Sequence, residues 1–181
     1  MNRRRFLQLL TLGTLGLAGG VPTYAWGEAH RFGLSRHQFK LPRLERDLRV
    51  AQLSDLHFGR WHREPAIRQW VDATLAQKPD LIVITGDLID GRTSVERLEA
   101  LTAELARLRA PLGVFATWGN HDYGLHHSGL KVFGAMLEKA GIRMLTNAGV
   151  QIRPDLYLAG VDDYWHGEVD IARAIDRKSV V

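Results

Sequence analysis

The sequence predicts an α/β fold with parallel strands and helices between them. Three short runs, rich in β-branched residues and bounded by Gly or Pro, are typical of buried strands, at residues 48–54, 81–85 and 113–118. Helix-sized segments separate the runs, as in βαβ units. Each run leads into a cluster of Asp, His or Asn side chains. Because the carboxyl ends of neighbouring parallel strands converge at one edge of a sheet, these clusters are expected to lie close together.

Three amphipathic helices are predicted after these runs. The first covers residues 65–77, because Pro suits the first helical position and a Lys-Pro pair follows the segment. The second covers residues 93–110, with a capping box that begins at Thr93 and a Pro after its end. The third covers residues 128–140, with Ser128 as its cap and a Gly after its last residue.

The two ends of the domain show other patterns. Residues 30–44 alternate apolar and polar side chains, which predicts one or two edge strands ended by a Pro. Short strands are predicted at residues 144–145, 150–152 and 156–160, and the turns between them suit a meander that a second sheet could hold. A further helix is expected to begin near Asp170.

Composition limits the chemistry of any site. With 181 residues, the chain is long enough for one domain with a sizeable core. Its hydrophobic content of 45% and charged content of 24% are those of an ordinary globular protein. There is no Cys. Disulfides and thiolate metal sites are therefore excluded, and any metal must be held by carboxylate, imidazole and amide groups.

Net charge gives no sign of a nucleic-acid surface. The chain carries 24 Lys+Arg against 20 Asp+Glu, a formal charge of +4. Without Arg3, Arg4 and Arg5 near the amino terminus, 21 basic residues remain against 20 acidic ones, a charge of about +1. The remaining basic residues are interspersed with acids, so a nucleic-acid partner is not expected.

Residues 1–27 are expected to be an export signal or a membrane anchor, outside the folded domain. An Arg pair, one spacer residue and Phe-Leu resemble a twin-arginine signal. The apolar run that follows, over residues 7–21, is shorter than the ~20 residues that span a bilayer comfortably. The expected partner is the twin-arginine export machinery. The expected location is the periplasm, the cell wall or the outer membrane-leaflet side.

The first two clusters suggest a shared cation. Asp55 and His57 are two residues apart, so on an extended backbone both side chains project to the same side and reach one metal. The alternative for this pair is a turn Asp beside a surface His. Asp87 follows Gly86, which permits a tight turn, and its two carboxylate oxygens suit a bridge between two metals. Asp90 is interpreted as an outer acceptor or a turn residue.

The third cluster is Gly119–Asp122. The Asn120 amide oxygen is a neutral, hard metal ligand. His121 is expected to contact the substrate and to donate a proton to the leaving oxygen. Asp122 is expected to fix the tautomer of His121, as carboxylates behind imidazoles do. The alternative for this tetrapeptide is a simple β-turn, since Asn and Asp are turn formers.

All three clusters together resemble the calcineurin-like metallophosphoesterase family, whose motifs read D-x-H, G-D-x-x-D and G-N-H-[DE]. The matching residues are 55–57, 86–90 and 119–122. The closest likeness is to a branch of twin-arginine-exported phosphodiesterases, also suggested by residues 53–57 and 158–163. The resemblance covers roughly residues 24–175.

The resemblance implies an α/β/β/α sandwich with two divalent metal ions, which are Mn, Fe or Zn. Asp55, His57 and Asp87 would hold one metal. Asp87 and Asn120 would hold the other, and His121 would bind phosphate. The implied activity is hydrolysis of phosphodiesters or phosphomonoesters by a metal-bound hydroxide.

The sequence also departs from the family pattern. The family completes its site with a His in a strand after the meander and with a later Gly-His-x-His motif, and this sequence has neither. His126, His127 and His166 stand in a different local context. We therefore expect residues 28–175 to be the amino-terminal portion of an incomplete domain, with weak or no activity. Residues 176–181 are expected to be an artefactual tail, since a common sequencing adapter read in frame would encode them.

Two alternatives to a phosphoester hydrolase remain open from the sequence. The first is a pyrophosphatase that acts on a nucleotide-linked lipid, for which a membrane surface would be a further partner. The second is an exported, non-catalytic binding module that keeps part of a phosphoesterase site. Activity of variants at Asp87 or His121 would separate an enzyme from a binding module.

Overall fold

The computed structural model of the chain describes residues 32–59 and 62–176. The chain divides into two compact units, residues 1–40 and residues 41–181. In the first unit the described residues, 32–40, contain no helix or strand. All helices and strands of the described chain belong to the second unit.

The predicted edge strands over residues 30–44 are wrong where they can be compared, because residues 32–44 contain no strand. Phe39 is 81% exposed and Leu41 is 57% exposed. Apolar side chains of the alternating pattern are therefore exposed and not buried in a sheet. Residues 30 and 31 lie outside the described residues, as do the predicted leader and most of the predicted tail.

A four-stranded parallel sheet forms the centre of the second unit and confirms the predicted α/β class. Its strands are β1 (Val50–Leu53), β2 (Leu81–Thr85), β3 (Val114–Thr117) and β4 (Ile142–Met144), in the spatial order β1-β2-β3-β4. Thr85 pairs with Thr117 in register at the ends of β2 and β3. The loops that follow the strands therefore begin side by side at the carboxyl edge of the sheet.

The predicted meander is correct only in part. Residues 142–144 join the parallel sheet as β4, beside β3. The other two predicted strands form a separate antiparallel sheet of β5 (Ala148–Arg153) and β6 (Leu156–Gly160). The chain can return to the first sheet as a parallel strand because a helix connects β3 to β4.

The helices are α1 (Glu64–Ala76), α2 (Val95–Leu105), α3 (His126–Lys139) and α4 (Ile171–Ile175). Their presence and approximate positions agree with the sequence pattern. Two predicted caps are wrong. Ser94, not Thr93, is the residue before α2, and the buried hydroxyl of Thr93 makes no hydrogen bond. Ser128 lies inside the first turn of α3, because a 3-10 helix at Asp122–Leu125 leads directly into that helix.

The two faces of the parallel sheet have different partners. One face packs in the large core that includes α1, α2 and α3, with members such as Ile84, Leu101 and Phe133. The residues that alternate with these along the strands, including Phe115, pack in a second cluster with Val150 of β5. The second sheet is covered in turn by α4, which contacts both of its strands. This layer order agrees with the expected sandwich.

Candidate metal centre

Three loops meet at the carboxyl edge of the parallel sheet. The Asp55 N–H donates to the Gly86 carbonyl at 3.3 Å, and the His57 N–H donates to the Asp87 carbonyl at 2.9 Å. The third loop touches the second through Gly119. A Cβ atom on Gly119 would lie 2.4 Å from both the backbone nitrogen and the Oδ1 atom of Asp87, so no larger residue fits there. Only backbone contact of this kind brings the loops so close.

The backbone of these loops differs from the extended form expected from the sequence. Asp55, His57 and Asp87 all have positive φ, at 55°, 40° and 51°. Residues other than Gly rarely adopt this conformation, and such strain is concentrated at functional sites. The backbone therefore turns tightly, in the left-handed conformation, at Asp55 and His57. The two side chains approach each other because of this turn and not because they lie on one side of a strand. The loop hydrogen bonds hold this turn in place.

The first cluster consists of Asp55, His57 and Asp87. The Nε2 atom of His57 lies 3.7 Å from Asp55 Oδ1 and 3.8 Å from Asp87 Oδ2. Both separations are less than twice the ~2.0–2.2 Å length of a metal–ligand bond. The ligating atoms of the three groups all lie within 4.8 Å of one another, which makes the cluster a candidate site for one cation. Two carboxylates and one imidazole suit a divalent ion such as Zn²⁺, Mn²⁺ or Fe²⁺. The donor set therefore fits the expected metal.

Asp87 also faces the loop after β3. Its Oδ1 atom accepts the His121 N–H at 2.9 Å, while its Oδ2 atom is the one turned toward His57. Asn120 lies between Gly119 and His121, both of which contact Asp87, and it is half-buried. The two oxygens of Asp87 are thus directed at two different loops. A carboxylate in this position would suit the bridging role that the family resemblance implies.

Asp90 lies between the two imidazoles. Its Oδ1 atom is 3.4 Å from His121 Nδ1 and 3.9 Å from His57 Nδ1. The two rings meet edge to face, with centroids 4.7 Å apart. Because the Nδ1 atom of each ring faces this carboxylate, the Nε2 atoms are directed elsewhere, and that of His57 faces the first cluster. The same three side chains, His57, Asp90 and His121, also form a group that could hold a metal ion, so Asp90 is positioned either as an acceptor for the two imidazoles or as a ligand.

Comparison with known proteins agrees with this geometry. The model of the calcineurin-like phosphoesterase family matches residues 48–172, a stretch that contains all three loops. The chain belongs to the calcineurin-like phosphoesterase family.

Similar members of the family come from several bacteria. The chain is 34% identical to an uncharacterized metallophosphoesterase of Aquifex aeolicus, over 78% of this chain and 56% of that protein. It is 30% identical to the phosphodiesterase YaeI of Escherichia coli, over 93% of this chain and 63% of that protein. It is 35% identical to the UDP-2,3-diacylglucosamine pyrophosphatase LpxG of Chlamydia trachomatis, over 62% and 36%. The chain spans less than two thirds of the length of these relatives.

The contacts of the Asp122 side chain differ from the predicted contact with His121. Its carboxylate is fully buried, and its oxygens accept the N–H groups of Ile89 at 3.1 Å and Gly119 at 2.9 Å. The carboxylate beside the His121 ring is that of Asp90. Two buried backbone donors need an acceptor, and Asp122 supplies it. It braces the loops after β2 and β3.

His126, His127 and His166 do not belong to either candidate metal-binding cluster of the described residues. Within residues 32–59 and 62–176, two clusters of side chains could hold a metal ion. They are His57–Asp90–His121 and Asp55–His57–Asp87. Neither includes His126, His127 or His166, all of which are exposed. In that same part of the chain, no helix is both long and apolar enough to cross a bilayer.

The sequence analysis missed the contact between Tyr123 and Asp162. The Tyr123 hydroxyl donates to Asp162 Oδ1 at 2.5 Å and links the loop after β3 to the segment after β6. Burial, followed by the hydrogen bond to Asp162, raises the pKa of Tyr123. The one available indication was the family-like stretch at residues 158–163, which the motif analysis did not connect to the site.

A Gly119→Ala substitution should prevent normal metal binding. The added methyl group would collide with the backbone and carboxylate of Asp87, and neither can move without opening the loop after β2. We expect Mn²⁺ affinity to fall by at least about tenfold, measured by isothermal titration calorimetry. Gly33→Ala is the control, since nothing lies within 4 Å of its added methyl group. Unchanged Mn²⁺ binding by Gly119→Ala would contradict the close contact.

The buried carboxyl of Asp122 should make the stability of the metal-free chain depend on pH. Burial raises the pKa of Asp122 to about 7 from an ordinary value of 3.8, although the Gly119 and Ile89 N–H groups oppose the shift. Between these values the folded state binds more protons than the unfolded state. The free energy of unfolding should therefore fall as pH rises from about 4 to about 7.

Urea unfolding at several pH values measures this contribution, which we expect to be on the order of a few kcal/mol. Asp122→Asn should remove that part of the pH dependence, because Asn does not titrate. Asp47→Asn, at an exposed carboxyl, should leave the dependence unchanged. The same pH slope in wild type and Asp122→Asn would show that Asp122 is not the group responsible.

Proposed function

We propose that this chain carries the reaction site of a metal-dependent phosphoester hydrolase. The observation that supports it is the meeting of Asp55, His57 and Asp87 at the carboxyl edge of the sheet, with ligating atoms within 4.8 Å of one another. Membership of the calcineurin-like phosphoesterase family agrees with this activity. Similarity to the phosphodiesterase YaeI favours phosphodiesters among the substrates.

The proposed metal ligands are those expected from the family motifs. Asp55, His57 and Asp87 would hold one divalent ion, and Asp87 and Asn120 would hold the second. When bound, two such ions polarise the phosphoryl oxygens and lower the pKa of water toward neutrality. The carboxylates of Asp55 and Asp87 supply two negative charges against four positive ones. The loaded centre would therefore attract a phosphate anion.

His121 is the proposed catalytic residue for substrate contact. Its side chain is 44% exposed, so it is open to a ligand at the edge of the sheet. Asp90 faces its Nδ1 atom and would hold the proton there. The Nε2 atom then points away from Asp90, and in the imidazolium form its N–H could donate to a phosphoryl oxygen. In its protonated form it could donate to the leaving oxygen as the ester bond breaks.

The pyrophosphatase alternative has one observation in its favour. The chain is 35% identical over 118 residues to a protein named for hydrolysis of a nucleotide-linked lipid. Both reactions would use the same metal-binding loops, and they differ in the groups attached to phosphorus. Comparing bis-(p-nitrophenyl) phosphate with a nucleotide pyrophosphate as substrates would separate them.

Substitution of Asp87 and His121 tests the proposed hydrolysis. With Mn²⁺ present, we expect slow hydrolysis of bis-(p-nitrophenyl) phosphate by the chain. Asp87→Asn should lower kcat/KM by at least about 100-fold, because one carboxylate serves both metals. His121→Ala should lower kcat by about 10²–10⁴-fold. Asp47→Asn, an exposed carboxyl variant, should match wild type. Equal rates in wild type and Asp87→Asn would contradict the proposal.

We also propose export of the protein by the twin-arginine route, to the outer side of the cytoplasmic membrane. Support comes only from the sequence of residues 1–27, which lie outside the described residues. Replacing Arg3 and Arg4 together by Lys should remove the exported fraction seen by cell fractionation, because the machinery reads the Arg pair. Arg5→Lys changes only the spacer and should leave export intact. Normal export without the Arg pair would refute this route.

A further inference from the structure

Residues 161–170, which we name the aspartate loop, begin at the same edge of the fold as the candidate centre. Gly160, the last residue of β6, lies against Thr117, the last residue of β3. A Cβ atom on Gly160 would be 2.8 Å from Thr117 Cγ2 and 2.2 Å from the Leu145 carbonyl oxygen. The aspartate loop therefore starts beside the end of β3, and His121 lies in the loop that follows β3.

Tyr123 connects the aspartate loop to the loop that carries His121. It belongs to the 3-10 helix Asp122–Leu125, which begins at the last residue of the Gly119–Asp122 motif. Its hydroxyl donates to Asp162 Oδ1 at 2.5 Å, and its ring stacks on that of His166 with centroids 6.3 Å apart. Two contacts thus join one side chain of the loop after β3 to two residues of the aspartate loop.

Hydrogen bonds within the aspartate loop hold it in one shape. The Asp162 carboxylate accepts the N–H groups of Asp163 at 2.8 Å and Glu168 at 3.1 Å. Asp163 Oδ1 accepts the N–H groups of Trp165 at 3.0 Å and His166 at 2.7 Å. These aspartates satisfy four backbone donors of a segment without regular secondary structure.

Asn147 closes both ends of the aspartate loop. It is buried, and its Oδ1 atom accepts the N–H of Asp162 at 3.1 Å and the N–H of Asp170 at 3.0 Å. Its side-chain nitrogen donates to the Glu168 carbonyl. One buried amide therefore fixes the start and the end of the loop relative to β5.

The aspartate loop exposes two large aromatic side chains to solvent. Tyr164 is 77% exposed and Trp165 is 78% exposed, and their rings meet edge to face with centroids 5.4 Å apart. Two adjacent exposed aromatics, on a loop that Tyr123 joins to the loop carrying His121, are typical of a contact surface, because side chains this exposed contribute little to the core. A frame that is already ordered reduces the entropy lost when such side chains bind a ligand.

We propose that Tyr164 and Trp165 bind the organic group of the phosphoester, and that the Tyr123–Asp162 hydrogen bond positions them. This inference rests on the proposed function, since the phosphoryl group would occupy the metal centre. The preferred organic group is planar and uncharged, such as an aryl ring, which would stack on an aromatic side chain. Exposed Glu168 in the same loop disfavours an anionic group or an anionic lipid surface there.

Binding of three small anions to the Mn²⁺-loaded chain tests the proposal by isothermal titration calorimetry. The probes are inorganic phosphate, methylphosphonate and phenylphosphonate. We expect phenylphosphonate to bind about tenfold more tightly than methylphosphonate. The double variant Tyr164→Ala, Trp165→Ala should reduce this ratio to about one to two without changing the Kd for phosphate. Val50→Ala, an exposed apolar residue at the opposite end of β1, should keep the wild-type ratio.

Tyr123→Phe tests the positioning role separately from the contact. It keeps the ring against His166 and removes only the hydroxyl that donates to Asp162. We expect the ratio of phenylphosphonate to methylphosphonate affinity to fall, with the Kd for phosphate unchanged. A purely structural tyrosine would alter all three affinities together or none of them. If the ratio of phenylphosphonate to methylphosphonate affinity is unchanged in Tyr123→Phe, Tyr123 does not position the two aromatic side chains.

The remaining outcomes separate this inference from the proposed function. Phosphate binding that is lost in Asp87→Asn, together with equal affinity for phenylphosphonate and methylphosphonate, would overturn the role of the aspartate loop alone. Absence of phosphate binding to the Mn²⁺-loaded chain would overturn both. Binding to phosphatidylcholine vesicles that requires Tyr164 and Trp165, without a preference for phenylphosphonate, would instead assign these side chains to a membrane contact and refute the proposal.

Discussion

The contact between Gly119 and Asp87 is the constraint on which the rest of the centre depends. It brings the loop after β3 against the loop after β2 at a distance that no Cβ atom would permit. The His121 N–H then bonds to the Asp87 carboxylate, and the His57 N–H bonds to the Asp87 carbonyl. Asp87 therefore links its own loop to the other two, through its carboxylate and its backbone carbonyl. Candidate metal ligands at separate places in the chain become neighbours through this one residue.

The parallel sheet supports a strained arrangement at its edge. Three candidate ligands, Asp55, His57 and Asp87, have left-handed backbones, which cost of order 1–3 kcal/mol each. The strands below them are paired in register and packed on both faces. Asp122 adds a buried carboxylate that bonds to both neighbouring loops, at the cost of its own desolvation. The strained backbones and the desolvated carboxylate therefore destabilise the fold in order to place charged groups close together.

The sequence predicted the strands and helices better than it predicted the local geometry of the candidate centre. Buried strands and amphipathic helices follow from hydrophobic periodicity, which depends on burial and not on atomic detail. The partner of His121 could not be found this way, because Asp122 is its neighbour in sequence while Asp90 is its neighbour in space. The spacing of Asp55 and His57 was likewise interpreted on an extended backbone, whereas hydrogen bonds to the next loop impose a left-handed one. Contacts between loops decide such details.

The short 3-10 helix after β3 connects the reacting groups to the aspartate loop. His121 precedes it, Asp122 begins it and Tyr123 follows within it, so three consecutive residues face three different parts of the structure. His121 faces Asp90, Asp122 faces the buried backbone of the neighbouring loops, and Tyr123 faces Asp162. A shift of this helix would therefore move the candidate catalytic imidazole and the exposed aromatics of the aspartate loop together. Because both would contact the same phosphoester, its phosphoryl group and its organic group would keep a fixed position relative to each other.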